Sequence, residues 1–359
     1  MEFVHDSLGQ RVRFGTSGAA AALASEVAER DAKRVMVIAA PAEQELAERI
    51  TTGLPVALSY QEVVMHVPVE VADRARHAAQ GADADLVFSI GGGSTTGLAK
   101  AVALTSGLPI IAVPTTYAGS EATPVWGLTE GSTKTTGVDP RVLPKTVVYD
   151  AALTLSLPVE LSVASGLNAM AHCIDSLWAP RADPINAALA TEGIRALAAG
   201  LPAVVREPRA LAGREQLLYA AYLSATAFAS AGSGLHHKIC HLLGGRFDLP
   251  HAQTHAIVLP YVLALNGAAA PEASARIAGA LAAAEALDGL WSLYEALAAP
   301  RALADYGLPR TGIPEAARAL VELVPPGNPR AVGEVDLLKL LEAAWAGTDP
   351  REFRAELNR

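Results

Sequence analysis

The sequence predicts an α/β domain with a parallel sheet, followed by an all-helical domain. In the first 150 residues, short apolar runs alternate with amphipathic segments, a pattern typical of parallel strands joined by helices. After about Asp150, alanine and leucine dominate and the apolar residues recur with helical spacing. A chain of 359 residues is long enough for two domains, and we expect residues 1–155 to form the first and residues 156–359 the second.

The elements of the first domain follow from this alternation. Short apolar runs predict strands, and the amphipathic segments after them predict the connecting helices. We predict strands at Arg34–Ala39, Val63–Val67, Leu86–Ile90 and Ile110–Val113, and helices at Glu43–Thr51, Val69–Gln80 and Gly97–Leu104. No comparable apolar run follows Tyr149, so we expect the sheet to end there.

The second domain carries one clear helix start. Asp183 followed by Pro184 is an acidic N-cap with proline in the first turn, and Gly200 is a predicted stop. Further helices are predicted at Arg214–Ser230, Leu235–Leu243, His255–Leu265, Pro271–Ala284, Gly289–Ala298, Pro314–Leu323 and Val335–Ala346.

Composition excludes several classes of protein. A net charge of −9 argues against nucleic-acid binding, which needs a basic face. The two cysteines make no disulfide framework, and the N-terminal residues lack the basic start and apolar core of a signal peptide. The uncharged stretch Gln216–Leu235 contains Ser, Thr, Tyr and Gly and is predicted to be a buried helix. We therefore expect a cytoplasmic protein that binds neither nucleic acid nor a membrane.

Two polar loops follow predicted strands. GGGSTTGLAK, Gly91–Lys100, comes directly after Leu86–Ile90, and its glycines allow a ligand to approach the backbone. The amides at the start of the next helix favour an anion such as a diphosphate, although an ordinary glycine turn remains the alternative. PTTYAGSEAT, Pro114–Thr123, follows Ile110–Val113 at the strand end where open α/β sheets bind ligands.

Six of the nine histidines fall within two segments of the second domain. GLNAMAHCIDSLW places Asn168 and His172 four residues apart, on one face of a helix. GLHHKICHLLGGRFDLPHAQTHAIVLP contains the other five, His236, His237, His241, His251 and His255. So many histidines in an apolar region point to metal binding or proton chemistry.

The order of these motifs resembles the iron-containing alcohol dehydrogenase family over essentially the whole chain. The resemblance implies a dinucleotide-binding domain, a helical domain and an active site in the cleft between them. Within the family, GLNAMAHCIDSLW, GLHHKICHLLGG, LPHAQTHAIVLPY and DPRVLPKTVVYD are similar to the maleylacetate reductase group. That group uses NADH or NADPH to reduce maleylacetate, a dicarboxylate, to 3-oxoadipate in the degradation of aromatic compounds.

The resemblance also implies roles for particular residues. The catalytic candidates are His172, His237, His241 and His251, one of them protonated and one donating the final proton. The candidates for substrate binding are Asn168, Lys238 and His255. Those for cofactor binding are Gly91, Gly92, Gly93, Ser94, Thr95, Thr115, Thr116 and Ser120, the last three on the nicotinamide side.

Two departures bear on the cofactors. Metal-dependent members of the family use one aspartate and three histidines, and Asn168 replaces that aspartate. A neutral amide is a poorer ligand for a divalent cation, so we expect no metal to be required. The strand Arg34–Ala39 ends without the acid that often holds the ribose of NAD, and Glu43 lies beyond it, so both NADH and NADPH should be used.

Other functions remain open from the sequence. The first alternative is a metal-dependent alcohol or polyol dehydrogenase of the same family, and Asn168 argues against it. A dehydroquinate-synthase-like lyase would need a basic phosphate site and a complete zinc site. A nucleotide-sensing protein would give no reason for the clustered histidines. A homodimer is expected because family members often form dimers.

Overall fold

The computed structural model describes residues 2–131 and 133–357. In it the chain forms two units, Leu8–Pro158 and Val159–Arg359. The N-terminal segment up to Ser7 belongs to the helical second unit, whereas the sequence assigned it to the first domain.

A parallel sheet of six strands organises the first unit. The strands lie in the order β1-β8-β5-β4-β2-β3, and every neighbouring pair is parallel. A separate antiparallel hairpin is formed by β6 and β7. The strands are β1 (Arg11–Phe14), β2 (Val35–Ile38), β3 (Val56–Tyr60), β4 (Leu86–Gly91), β5 (Ile110–Pro114), β6 (Val125–Glu130), β7 (Thr133–Val138) and β8 (Thr146–Tyr149).

Helices cover both faces of this sheet, and successive strand residues point to opposite faces. Val35 and Val37 of β2 pack with α1 (Ala19–Arg30) and α2 (Gln44–Thr51). Met36 and Ile38 pack with α3 (Val69–Gly81) and α4 (Gly93–Ser106). The central strands β2, β4, β5 and β8 are therefore buried on both faces, which explains why such strands appear in the sequence as continuous apolar runs.

The chain reverses direction across the sheet between β2 and β4. From β2 it passes outward to β3 and then returns to β4, on the other side of β2. In open α/β sheets, ligands bind outside the carboxyl ends of the strands at such a reversal. This topology marks the ends of β2 and β4, beside β5, as the binding edge of the sheet.

The predicted strand Val63–Val67 is wrong. The strand after β2 is β3, and His66 and Val67 are in left-handed turn conformations with φ of 64° and 49°. The apolar-run criterion missed β3 because it is an edge strand whose residues are exposed or half-buried. The predicted helix Gly97–Leu104 also begins too late, because α4 starts at Gly93.

Ten α-helices lie in the described part of the second unit, and the central one is α5. Its residues from Ser162 to Ser176 are all buried, and it packs against α6, α7 and α9. The helices are α5 (Val159–Ser176), α6 (Pro184–Arg206), α7 (Leu211–Ala231), α8 (Leu235–Phe247), α9 (His251–Asn266), α10 (Pro271–Ala280), α11 (Ala286–Leu297), α12 (Ile313–Val321), α13 (Glu334–Ala346) and α14 (Pro350–Leu357).

Helix α6 begins as predicted but continues past Gly200. The Asp183 carboxylate accepts hydrogen bonds from the amides of Ile185 and Asn186, at 2.7 and 2.9 Å. Gly200 is instead a point of close helix contact, since a Cβ there would lie 2.8 Å from Leu217 Cδ2. The expectation of a stop at Gly200 was wrong because the glycine is required for packing against α7.

The same helix is long and apolar enough to cross a membrane, judged by length and composition alone. Buried helices in the cores of water-soluble proteins also meet this criterion, and α6 packs closely on α5 and α7.

A buried carboxylate ties α1 to the sheet. Glu26 is fully buried and accepts hydrogen bonds from Arg13 Nε at 2.6 Å and Thr146 Oγ1 at 2.7 Å, and it also pairs with Arg30. Burial alone would raise the pKa of Glu26, but the hydrogen bonds from Thr146 and Arg13 and the charge of Arg30 lower it overall. Glu29, one turn further, meets arginines at the exposed surface.

We predict that Glu26→Gln lowers the free energy of unfolding by about 2–3 kcal/mol at pH 7, because it leaves buried polar groups without their anion. The matched change Glu29→Gln should cost less than about 1 kcal/mol, since solvent screens its ion pairs. Because the pKa of Glu26 is lowered in the folded chain, its contribution is present above the unfolded pKa and is lost on acidification. Urea denaturation at pH 7 and pH 4 measures both effects, and equal losses in the two variants would contradict the assignment.

Candidate active site

The glycine loop after β4 has the geometry of an anion site. Gly91 has a φ of 149°, which favours glycine, and a Cβ there would lie 2.5 Å from Thr95 Oγ1. Helix α4 starts at Gly93, and no side chain caps it. The amides of its first turn have no acceptor within the helix, so they are available to an anionic ligand.

The second polar loop lies directly beside the first. Gly91 pairs with Pro114 in the sheet, and Thr115 N donates to Gly91 O at 3.1 Å. A Cβ on Gly92 would lie 3.1 Å from Thr116 Cγ2. The structure thus brings together at one sheet edge most of the residues predicted to bind cofactor, namely Gly91, Gly92, Gly93, Ser94, Thr95, Thr115 and Thr116, while Ser120 follows further along the second loop. Of these, Gly91, Thr95 and Thr115 are buried, and the others are half-buried.

Lys100 holds the second loop in place, a role that the sequence analysis missed. Its Nζ is buried and donates to the carbonyl oxygens of Ser120, Thr123 and Val125 at 2.7, 2.8 and 2.7 Å. Burial lowers the pKa of Lys100 to about 7, and the nearby Glu121 carboxylate opposes this shift. The available signal was that no other charged residue lies between Asp85 and Glu121.

In the second unit, six histidines from three helices form one connected group, called here the histidine cluster: His172, His236, His237, His241, His251 and His255. The rings of His172 and His237 stack with centroids 5.0 Å apart, and those of His251 and His255 are 4.3 Å apart. His237 and His255 join these two pairs at 5.0 Å. The predicted catalytic histidines therefore lie together, with Phe228 packed against His172 and His237.

Asp175 orients the cluster, and the sequence analysis did not select it. Its carboxylate accepts hydrogen bonds from His237 Nδ1 at 2.7 Å, Gly234 N at 2.8 Å and Trp178 Nε1 at 3.3 Å. The bond from Nδ1 fixes the tautomer of His237, so that Nε2 carries the lone pair. The signal for this role was an acid three residues after His172 in an otherwise uncharged helix segment.

A second buried contact lies between α8 and α9. His236 Nε2 and His255 Nδ1 are 3.0 Å apart and share a hydrogen bond, and Cys240 Sγ lies 3.6 Å from His236 Nε2. The donor atoms of His236, Cys240 and His255 all lie within 4.8 Å of one another.

Several polar atoms in this region face no hydrogen-bond partner among the described residues. They are Asn168 Oδ1, His172 Nδ1, His236 Nδ1, His237 Nε2 and His255 Nε2. Buried polar atoms without partners cost free energy, so such a concentration fits a site that is completed by a ligand. Asn168 lies one turn before His172 on α5 and is 1% exposed.

Burial makes the inner histidines neutral. It lowers the pKa of His172 to about 3, and it lowers the pKa values of His236, His237 and His255 well below their usual range. The expectation of one protonated catalytic histidine therefore does not apply to His172 or His237 in this state. His241 and His251 are exposed, so water reaches their rings.

The two basic residues on α8 differ. Lys238 is half-buried; the pKa of His237 is lowered mainly by burial, and the charge of Lys238 adds to that shift. Arg246 is exposed and pairs with Glu315 of α12.

Two family models match consecutive parts of the chain. Residues 9–151 match the iron-containing alcohol dehydrogenase model, and residues 162–345 match the C-terminal model of the Fe-containing alcohol dehydrogenase family. The chain belongs to the iron-containing alcohol dehydrogenase family. This membership confirms the predicted family, makes the chain an oxidoreductase and supports the use of NADH or NADPH.

Relatives of similar length within the family include maleylacetate reductases. A maleylacetate reductase of Sphingobium indicum is 46% identical over 352 residues, covering 98% of this chain and 99% of the relative. One from Burkholderia cepacia is 45% identical, covering 97% of this chain and 99% of the relative.

Solved structures confirm the predicted fold class. The maleylacetate reductase of Rhizobium sp. matches with a TM-score of 0.91 at 42% identity, covering 98% of this chain and 100% of that one. An iron-containing alcohol dehydrogenase of Corynebacterium glutamicum matches with a TM-score of 0.97 at 58% identity, covering 98% and 99%.

We predict that the buried neutral histidines lower the free energy of unfolding at acid pH, and that comparing the wild type with His255→Asn measures this effect. Below pH 6.5, the unfolded chain takes up a proton at His255 that the folded chain excludes, so folding loses about 1.4 kcal/mol per pH unit from this residue. The stability advantage of the wild type over the variant should therefore shrink as the pH falls from 6.5 to 5. Urea denaturation measures it. The difference in free energy of unfolding between wild type and variant should stay constant from pH 7.5 to 9, which is the internal control. If it also stayed constant below pH 6.5, His255 would not be neutral in the folded chain.

A second prediction concerns the space around Asp175. A Cβ at Gly234 would lie 2.3 Å from Asp175 Oδ1, closer than side chains tolerate, so Gly234→Ala should cost about 1–3 kcal/mol of stability. Gly245→Ala is the control: Gly245 lies within α8, whose N-cap is Gly234, and no heavy atom lies within 4 Å of the added Cβ. It should stabilise the chain by up to about 1 kcal/mol. Urea midpoints measure both, and an unchanged midpoint for Gly234→Ala would mean that the carboxylate is not held there.

Proposed function

We propose that this oxidoreductase uses NADH or NADPH to reduce the carbon–carbon double bond of maleylacetate, giving 3-oxoadipate. The observation that carries the proposal is the buried and uncharged donor set around Asn168, His172 and His237. Its relatives of similar length named maleylacetate reductase support the same substrate.

The donor set does not fit the iron of the family name. At the four family positions stand Asn168, His172, His237 and His251, none of which brings the negative charge of a carboxylate. A divalent cation bound there would keep its full charge in a largely buried site, which is costly. The nearest acid, Asp175, is already engaged by His237, Gly234 and Trp178. We therefore propose that the reaction needs no metal at this position.

The reaction requires a hydride, a proton and a place for developing negative charge. A nicotinamide cofactor, when bound, would supply the hydride and be oxidised, and the alkene carbon β to the ketone would accept that hydride. The electron pair of the double bond moves to the ketone oxygen as an enolate. When the enolate collapses, the carbon next to the ketone takes a proton, which completes the reduction.

Neutral hydrogen-bond donors in a buried site stabilise such an enolate. His255 suits this role: if its Nδ1 accepts the hydrogen bond from His236 Nε2, its Nε2 carries a hydrogen and has no partner among the described residues. His241 and His251 are exposed and can exchange protons with water, so we assign the final proton to this pair. Lys238 is the proposed partner of a substrate carboxylate.

The dinucleotide is assigned to the loops after β4 and β5, with its diphosphate at the start of α4. We also propose a homodimer in the cytoplasm, acting on a small dicarboxylate, with no nucleic-acid or membrane partner. The net charge of −9 supports the exclusion of nucleic acid. Glu43 lies just beyond β2 and not at its end, which supports the use of both cofactors.

The test follows oxidation of NADH and NADPH with maleylacetate generated in place, using protein treated with EDTA. We expect rapid oxidation after chelation, and we expect Asn168→Asp to gain affinity for Fe²⁺ or Zn²⁺, since a carboxylate supplies the missing charge. Isothermal titration calorimetry, with the metal ion titrated into the variant and into the wild type in turn, measures that gain.

Other outcomes would overturn parts of the proposal. Oxidation that stops with EDTA and returns with zinc or iron would keep the substrate and remove the metal-free reaction. No oxidation under any condition would exclude maleylacetate, and activity on alcohols would then favour the metal-dependent alcohol or polyol dehydrogenase.

A further inference from the structure

His236, Cys240 and His255 are a donor set separate from the four family positions. His236 and Cys240 are four residues apart on α8 and so share one helix face, and His255 reaches them from the second turn of α9. Their exposures are 1%, 2% and 0%. Two imidazoles and a thiol are the ligand types that Zn²⁺ prefers in proteins.

The distances suit a shared ion. With zinc–nitrogen and zinc–sulfur bonds of about 2.0–2.3 Å, tetrahedral ligand atoms lie roughly 3.3 Å apart for two nitrogens and 3.5 Å for nitrogen and sulfur. The observed separations are 3.0 Å between His236 Nε2 and His255 Nδ1 and 3.6 Å between His236 Nε2 and Cys240 Sγ. An ion would replace the hydrogen that the two imidazoles share.

The charge balance also favours this group over the family positions. Zn²⁺ with the Cys240 thiolate carries one positive charge. The set around Asn168 offers no comparable anionic ligand.

We propose that His236, Cys240 and His255 bind a thiophilic divalent cation of the zinc type, with the fourth position left to water or another small ligand. Binding of the ion releases the thiol proton of Cys240. The hydrogen that lay between His236 Nε2 and His255 Nδ1 moves to a ring nitrogen that does not face the ion, His236 Nδ1 or His255 Nε2. The inference concerns ion binding alone and does not depend on the proposed substrate.

The test uses cobalt as a spectroscopic substitute for zinc. The full chain is produced in medium where Co²⁺ replaces zinc, so that the ion is present while the protein folds around a buried site. We expect about one cobalt ion per chain and an intense near-ultraviolet thiolate-to-cobalt charge-transfer band. Because histidines alone give no such band, the spectrum separates this site from the family positions.

Two cysteine variants identify the thiolate. Cys240→Ser should abolish the band. Cys173→Ser should retain it, because Cys173 is the other buried thiol of the chain and packs instead against Gly193 of α6. The double change His172→Asn with His251→Asn should also leave the band in place.

Three results would overturn the proposal. They are a wild-type protein without cobalt, bound cobalt without a charge-transfer band, and a band that survives Cys240→Ser. Each is read from the metal content or the spectrum, so loss of reductase activity cannot be mistaken for failure of the ion site.

Discussion

The carboxylate of Asp175 is the interaction on which the histidine cluster depends. It connects α5 to the start of α8 through His237 and the Gly234 amide, and its third hydrogen bond comes from Trp178. Without it, His237 could exchange tautomers in a region where burial strongly disfavours the charged form. One buried anion therefore determines both the orientation of the His237 imidazole and which of its nitrogens is left without a hydrogen-bond partner among the described residues.

In the first unit, the corresponding constraint is the placement of the two polar loops after β4 and β5. The parallel register brings the ends of β4 and β5 side by side. Glycine at 91 and 92 allows the loops to touch, while Lys100 anchors the second loop by its backbone carbonyls. Backbone amides and carbonyls, more than side chains, shape this edge, which is suited to a ligand rich in phosphate oxygens.

Much of this organisation was predictable from the sequence, because buried parallel strands and clustered histidines leave local patterns. The strand Leu86–Ile90 and the meeting of the histidines followed from runs and spacings. The edge strand β3 did not, because its residues are only partly buried. Gly200 has the residue type of a helix stop, and only the position of α7 shows that it is a packing contact.

Asp175 was missed for a related reason: a single acid in an apolar helix has no pattern, and two of its three partners, Gly234 and His237, lie about sixty positions further along the chain. Lys100 likewise forms its bonds with a later loop. Roles that arise from tertiary contacts between distant segments are not encoded in local spacing.

The two sides of α5 bear on how the proposed site of neutral groups would act. Gly166 and Cys173 lie on one side and meet α6 so closely that a Cβ on Gly166 would be 2.6 Å from Leu201 Cδ2. Asn168, His172 and Asp175 lie on roughly the opposite side, by the 100° turn per residue of a helix. The tight contact with α6 restricts rotation of α5. The dipoles on the face that carries Asn168 and His172 would therefore need little reorganisation if charge develops there, as the proposed reaction requires. Much of the free energy needed to order these dipoles is then spent during folding, before a ligand binds.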